Sequence, residues 1–238
     1  RLHEGAWRPW DRTSFSLSGL AEIFRLGGPV GIQMALEAWA FSASTFMAGW
    51  ISVEALGAHQ VVLNMAALAF MLPLGISMAA ATRTGNLIGL QDRPGMRRSV
   101  WLSIGLGAAA MCASSFAFVT LRDVLPRLYT DDRGVVVLAA QILPLAGAFG
   151  IADGIQVVSG GVLRGMGRPN AAAVINLLGY YGLALPLAYG LGFVRGQGLT
   201  GIWSALVVGL VIVAAAMMAW VRLIARRPLH ELTVTVEG

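Results

Sequence analysis

The sequence predicts an all-α membrane protein, folded as one six-helix transmembrane bundle. Of its 238 residues, 57% are hydrophobic and 12% are charged, about half the charged share of a typical soluble domain. The apolar residues fall into six runs, each near the ~20 residues that a helix needs to cross a bilayer. These runs cover residues 26–51, 56–81, 100–121, 134–161, 171–194 and 199–221.

The two ends are predicted to lie outside the bundle. Residues 1–25 are polar, but their few apolar residues fall mostly on one side of a helix, which favours a connector at the membrane interface. They lack the apolar core of a signal peptide. Residues 222–238 are predicted to form a cytoplasmic tail. Because the chain begins with Arg1 and not Met, we expect a partial or processed product.

The positive charges predict how the bundle is oriented. All 17 basic residues are arginines, and the net charge is +5. With both ends in the cytoplasm, 13 arginines lie in cytoplasmic segments and 4 lie outside, as the positive-inside rule requires. We therefore expect a multi-pass protein of the plasma membrane, surrounded by the lipid bilayer. The positive charge is then explained by membrane orientation and not by binding to nucleic acid.

Two carboxylates lie inside apolar runs, Glu37 and Asp153, while the other ten acids lie in loops or ends. A charge near the middle of a spanning helix costs at least ~3 kcal/mol, which makes such a residue a functional candidate. Both acids fall at similar depth, so they are predicted to share a cavity. Gly150 and Gly154 either allow close helix approach or leave room beside Asp153. The simpler alternative is that Glu37 is a protonated acid that only links helices by hydrogen bonds.

Polar residues three or four positions apart occur in four of the six runs, so each pair lies on one helix face. The pairs are Gln33 with Glu37, Gln60 with Asn64, Asp153 with Gln156, and Asn176 with Tyr180. Four such stripes are expected if these helices line a solvated cavity. Ordinary hydrogen bonding between helices would explain any one pair equally well.

Enzymatic chemistry is not predicted. The three histidines are scattered, there is one cysteine, Cys112, and no Ser, His and Asp grouping suggests a hydrolase. We therefore expect neither a metal cluster nor an organic cofactor.

Several short motifs carry a resemblance to a known family. They are EAWAF at residues 37–41, GAHQ at 57–60, PLG at 73–75, RTGNLIG at 83–89, GVLRGMG at 161–167, GYY at 179–181 and GLTGIW at 198–203. Together they resemble the second half of a multidrug and toxic compound extrusion (MATE) transporter, over nearly the whole of residues 26–221. Each motif alone would be unspecific, but the set is specific.

The resemblance implies an antiporter that exports organic cations or drugs in exchange for H⁺ or Na⁺. It also implies a twelve-helix protein of two six-helix bundles, of which this chain matches helices seven to twelve. Glu37 and Asp153 fall on the acidic positions of helices seven and ten, so both are candidates for binding the coupling cation, Na⁺ included. Ser42 and Asn64 stand where animal members carry further glutamates. The N-terminal half, or a second copy, is the implied partner.

Two other functions remain open from the sequence. A lipid-linked sugar or polysaccharide flippase of the wider superfamily would share the architecture, but it should carry basic residues inside its cavity, and no arginine lies deep within an apolar run. A non-transporting membrane scaffold would have no reason to place two acids at similar depth. Both arguments favour the antiporter.

Overall fold

A computed structural model describes residues 17–228 of the chain. These residues form six long helices, which we number in chain order. They are α1 (Leu17–Ile51), α2 (Val53–Gly89), α3 (Arg93–Thr120), α4 (Arg133–Gly165), α5 (Pro169–Val194) and α6 (Gly198–Ile224). A short 3-10 turn, Leu125–Leu128, lies between α3 and α4. The all-α prediction is therefore confirmed for the described residues.

The helices are longer than the apolar runs that predicted them. The clearest case is α2, which continues to Gly89 and so carries Arg83 and Asn86 on a helix and not in a loop. Hydropathy marks the part of a helix that suits hydrocarbon, whereas its backbone hydrogen bonds can continue through polar residues. In the same way α1 includes residues 17–25 of the predicted connector; residues 1–16 and 229–238 lie outside the described part.

Five of the helices, α2 to α6, are long and apolar enough to cross a membrane, judged by length and composition over residues 17–228. α1 is not among these five, although it has 35 residues. Its central part carries Glu37 together with the hydroxyl residues Ser42, Ser44 and Thr45, all of which lower its hydropathy. That residues 26–51 cross the bilayer as a sixth span stays a prediction.

Short polar side chains fix where three of the helices begin. Ser52, Asp92 and Asp132 accept hydrogen bonds from backbone N–H groups in the first turns of α2, α3 and α4, respectively. These N–H groups have no partner inside their own helix, so the caps stabilise the helix starts. The two capping acids thus have a structural role that Glu37 and Asp153 do not share.

The central helix is α4, which packs against α2, α3 and α6. On its α3 side lie Gly150 and Gly154, where an added Cβ atom would collide with Met111. A Cβ on Gly154 would also lie 2.9 Å from the carbonyl oxygen of Gly107. These glycines therefore serve the close approach of α3 and α4, the first of the two roles that the sequence allowed.

A second pair of glycines joins α4 to α2. A Cβ on Gly161 would overlap the carbonyl and hydroxyl oxygens of Ser77, and one on Gly165 would overlap the carbonyl of Ala81. Ser77 is fully buried, and its hydroxyl donates to the carbonyl of Val157 at 2.7 Å. This tight contact fixes the face of α2 that points towards α4.

The winding of α5 changes twice along its length. Leu178–Ala184 and Gly190–Val194 are π-helical, and Pro186 lies between them. Proline has no backbone N–H, and wider turns are one way to accommodate it. The N–H of Leu185 accordingly bonds to the carbonyl of Tyr180, five residues back. A π-turn also redirects the side chains beside it, which matters for the site described next.

Candidate cation site

Glu37 lies where α1, α4 and α5 meet. Its Oε1 accepts hydrogen bonds from the side-chain amides of Gln33 (3.3 Å), Gln156 (2.9 Å) and Asn176. The amide residues are buried, with at most 5% of each exposed, whereas Glu37 is half-buried. Within residues 17–228, Oε2 accepts no hydrogen bond. One carboxylate oxygen is thus held in place and the other is available to a cation.

The amides around Glu37 also contact one another. The Nε2 of Gln156 donates to Oδ1 of Asn176 at 3.2 Å, which links α4 to α5. The Oε1 of Gln33 is buried and has no hydrogen-bond partner in the described part of the chain. A side-chain amide carries both donors and an acceptor, and its orientation is assigned from its surroundings. The same side chains can therefore serve a carboxylate or, turned over, a carboxylic acid.

Asp153 lies one turn before Gln156 on α4 and is half-buried. It interacts electrostatically with Glu37 and with Tyr180, which is buried. No hydrogen bond to its carboxylate comes from any other residue in 17–228. When two carboxylates lie close enough to interact, the state in which both are ionised is unfavourable, because their negative charges repel each other. The arrangement is therefore suited to a proton or another cation.

Tyr181, which the sequence analysis did not single out as a site residue, joins α5 to α1 beside the site. Its hydroxyl donates to the carbonyl of Leu36 at 3.1 Å, directly before Glu37 in the chain. Helical spacing selected Tyr180 as the partner of Asn176, and both of these are indeed buried. The π-helical turn directs the neighbouring Tyr181 towards α1, and a sequence offers no periodic signal for such a turn.

The polar pair of α2 lies apart from this site. Gln60 and Asn64 are both exposed, and the amide of Asn64 donates to the backbone carbonyl of Gln60 at 2.9 Å. Gln60 lines an open groove of about 350 Å³ between α1 and α2, together with Phe41, Ser42, Thr45, Phe46 and Leu63. The structure thus brings three of the four predicted pairs together and leaves the fourth on an exposed face.

Arg164 is a second residue that the sequence analysis did not place at the site. It was assigned to a loop, but it lies in the last turn of α4 and is half-buried. Its Nη2 donates to the hydroxyl of Ser77 at 2.9 Å, and its charge interacts with that of Glu37. The signal for it was the spacing along α4, because Asp153, Gln156 and Arg164 recur on one helix face.

The donor set suits a hard cation or a proton. Among residues 17–228, no group of three or more His, Cys, Asp or Glu side chains could hold a metal ion. His59 is fully buried, but it lies elsewhere, with Nε2 3.5 Å from Ser44 Oγ and its ring 5.6 Å from that of Trp203. Two carboxylates and neutral amides are hard oxygen ligands of the kind that bind alkali and alkaline-earth cations.

Five apolar helices of spanning length and an interior carboxylate site define a multi-pass membrane protein, and comparison with known proteins identifies its family. The family model MatE matches residues 29–190. The chain is 30% identical over 221 residues to human multidrug and toxin extrusion protein 1, covering 93% of this chain and 38% of that protein. It is 37% identical over 206 residues to the multidrug resistance protein NorM of Burkholderia vietnamiensis, covering 84% and 44%. The chain spans less than half the length of these relatives.

The fold gives the same result. It matches the eukaryotic MATE transporter AtDTX14 with a TM-score of 0.82 at 25% identity, over 92% of this chain and 51% of that one. A MOP superfamily transporter from Pyrococcus furiosus shares the fold at 22% identity, with a TM-score of 0.76 over 90% and 48% of the two chains. The chain therefore belongs to the MATE family, which consists of membrane transporters and not of enzymes. Its helices match half of a MATE transporter fold.

Proposed function

We propose that this chain is the cation-coupling half of a secondary antiporter that exports organic cations or drugs in exchange for H⁺ or Na⁺. The observation that supports it most strongly is the environment of Glu37, a half-buried carboxylate that accepts hydrogen bonds from three buried amides. Asp153 interacts electrostatically with this carboxylate. Such a site in the interior of a helical membrane protein marks an ion or substrate pathway. The name of the human relative refers to multidrug and toxin extrusion and that of the Burkholderia relative to multidrug resistance, and both agree with this function.

The chemistry of the site is competition for one negative charge. A carboxylate removed from water needs a compensating charge, and a proton, a sodium ion or a cationic cargo can each supply it. The amides of Gln33, Gln156 and Asn176 hold the carboxylate in place whichever cation is bound. When Glu37 carries a proton, a turned amide can accept that proton's hydrogen bond, and the unpartnered Oε1 of Gln33 is suited to this. Exclusive binding of proton or cargo is the requirement for antiport.

The complete transporter needs a second bundle, because alternating access moves one repeat against another. We propose that the chain corresponds to the C-terminal six helices and that an N-terminal half, or a second copy, completes it. The share of the relatives that it covers agrees with one half of such a protein, and the resemblance of its short motifs favours the C-terminal half. The arginine distribution supports cytoplasmic ends in the plasma membrane. The chain by itself is therefore expected not to drive gradient-dependent efflux from vesicles.

The basic residue inside the bundle does not favour the flippase. Arg164 lies beyond the apolar run that ends at residue 161, yet it is half-buried in the last turn of α4, and its charge interacts with that of Glu37. A flippase for anionic lipid-linked sugars would need an excess of positive charge in the cavity. Here the polar groups around Glu37 are one guanidinium, a second carboxylate and neutral amides, which suits a cationic cargo better.

The test is transport by the full-length polypeptide that carries this chain, reconstituted into vesicles with a proton or sodium gradient. Glu37→Gln and Asp153→Asn should each uncouple efflux of tetraphenylphosphonium from the ion gradient, because the amide keeps the shape and loses the charge. The matched control is Asp123→Asn, an equal charge change at an exposed residue between α3 and α4. Unchanged coupling in Glu37→Gln would contradict the proposal, and unchanged ion dependence in Asp153→Asn would leave Glu37 to act alone.

A further inference from the structure

The guanidinium of Arg164 is held at the edge of the Glu37 site. Its Nη2 donates to the hydroxyl of Ser77, which in turn donates to the Val157 carbonyl, so α2 anchors the end of the side chain. Ser77 is fully buried, and Arg164 is half-buried. A buried hydroxyl that both donates and accepts fixes its partners in direction. Arg164 therefore has a defined position and not the freedom of a surface arginine.

Gly160 lies beside both this guanidinium and one of the amides of the site. Nη1 of Arg164 and Nε2 of Gln33 each lie 3.8 Å from the point where a Cβ on Gly160 would be. Gln33 donates to Glu37 through that same Nε2, while its buried Oε1 has no partner within residues 17–228. A strong cationic donor and an amide with an unused acceptor thus both lie beside Gly160, and that amide donates to the carboxylate.

We propose that Arg164 is an internal counter-ion that competes with the exported cation for Glu37, with Gln33 as the bridge between them. The inference rests on the proposed antiport function and adds a residue that sets the affinity. An ionised Glu37 attracts the guanidinium when no other cation is bound, and a bound cation repels it back to Ser77. The other groups that face Glu37 are Asp153 on α4 and Tyr180 on α5, and neither supplies positive charge.

The competition lowers the affinity for cargo, and an exporter needs that for release. Guanidinium and carboxylate groups form strong charge-assisted pairs, so a resident arginine is an effective competitor for a carboxylate. The anchor at Ser77 keeps the guanidinium from occupying the site permanently. Ser77 and Arg164 should therefore have opposite effects on the binding of a cation.

The experiment measures binding of tetraphenylphosphonium to the full-length polypeptide in nanodiscs. Arg164→Gln removes the charge but keeps an amide able to donate to Ser77, and it should bind the probe about tenfold more tightly. Arg164→Lys keeps the charge and should stay within about twofold of the wild type. Ser77→Ala releases the guanidinium towards Gln33 and should weaken binding about threefold.

The control for net charge is Arg168→Gln, which removes an equal charge from an exposed side chain one turn further on. Its effect should stay within about twofold because exposed charges are screened. If Arg164→Gln leaves the affinity unchanged or lower, or if Arg168→Gln tightens binding equally, the inference is overturned. Glu37→Gln is measured in parallel: if it binds the probe as the wild type does, the proposed function itself has failed.

Discussion

The polar residues of α2 and those of α1, α4 and α5 have the same spacing in the sequence but opposite surroundings in the fold. Asn176 is fully buried, and its amide donates to Glu37 on another helix. Asn64 is exposed, and its amide donates only to the backbone carbonyl of Gln60 in its own helix. Spacing assigns residues to a common face, but the contacts of the other faces decide which way that face points.

For α2 the deciding contact is the one with α4. Gly161 and Gly165 admit the backbone of α2 so closely that Ser77 and Ala81 lie against them. Once these small residues face α4, the helix has no freedom to turn Asn64 inward. The exposure of Asn64 is thus a consequence of this packing contact.

The largest effect is expected from breaking this contact. Gly161→Ala should lower the free energy of unfolding by about 3 kcal/mol, because the new methyl group overlaps backbone and side-chain oxygens of Ser77. Unfolding in mixed detergent micelles, followed by tryptophan fluorescence, measures the change. The control is Gly75→Ala, also on a helix of this pair, where a Cβ meets nothing within 4 Å. Equal stability of the two variants would show that α2 is oriented by something else.

The next effect distinguishes the two asparagines directly. Asn176→Leu should cost about 2 kcal/mol, because it leaves Glu37 without one of its three donors and removes one of the two acceptors of Gln156 in a buried place. The identical change Asn64→Leu should stay within about 0.5 kcal/mol, since it removes a bond inside one exposed helix turn. The same unfolding titration compares them. A cost at Asn64 equal to that at Asn176 would mean that the face of α2 is buried.

Much of the site follows from the sequence, because elementary constraints act on single residues. An acid inside an apolar run must find polar partners, and helical spacing gives the nearest of them, Gln33 for Glu37 and Gln156 for Asp153. A close helix approach at Gly150 and Gly154 was one of the two roles that the sequence allowed, but that α3 is the helix approached is known only from the structure. In the structure Gln33 and Gln156 both donate hydrogen bonds to Glu37. The sequence thus identified the right amides, but it paired Gln156 with Asp153 and not with Glu37.

The remainder depends on how the helices are wound and rotated. Arg164 looked like a loop residue because the apolar run ends at residue 161, yet the helix continues and points the guanidinium at Ser77. Tyr181 reaches α1 through a π-helical turn, for which a period of 3.6 residues gives no warning. The direction of Asn64 depends on a contact more than one turn away. The turn at Tyr181 and the exposure of Asn64 are set by tertiary contacts, which hydropathy and spacing do not contain. For Arg164, the spacing along α4 did carry a signal, but the end of the apolar run concealed it.

The smallest change in the free energy of unfolding is expected at Gln60. This residue refines the comparison between the two faces, because it is exposed but lies beside α1, the helix that carries Glu37. It lines the groove with Phe41 and Ser42, on the α1 side of α2. Gln60→Leu removes no hydrogen bond within residues 17–228, since Asn64 donates to the backbone carbonyl of Gln60, which the substitution keeps. The free energy of unfolding should therefore change by less than about 0.5 kcal/mol.

What Gln60→Leu tests is whether this face works against a second bundle. If the groove faces the other half of the transporter, the variant should slow efflux by the full-length polypeptide while binding of tetraphenylphosphonium at Glu37 stays unchanged. Loss of stability above about 1 kcal/mol would instead mean that Gln60 is already buried in this bundle. Loss of cation binding together with transport would place Gln60 in the same cavity as Glu37. If transport is lost while stability and cation binding are kept, the two faces have separate functions. The Glu37 site then binds the cation, and the face with Gln60 contacts the second bundle during transport.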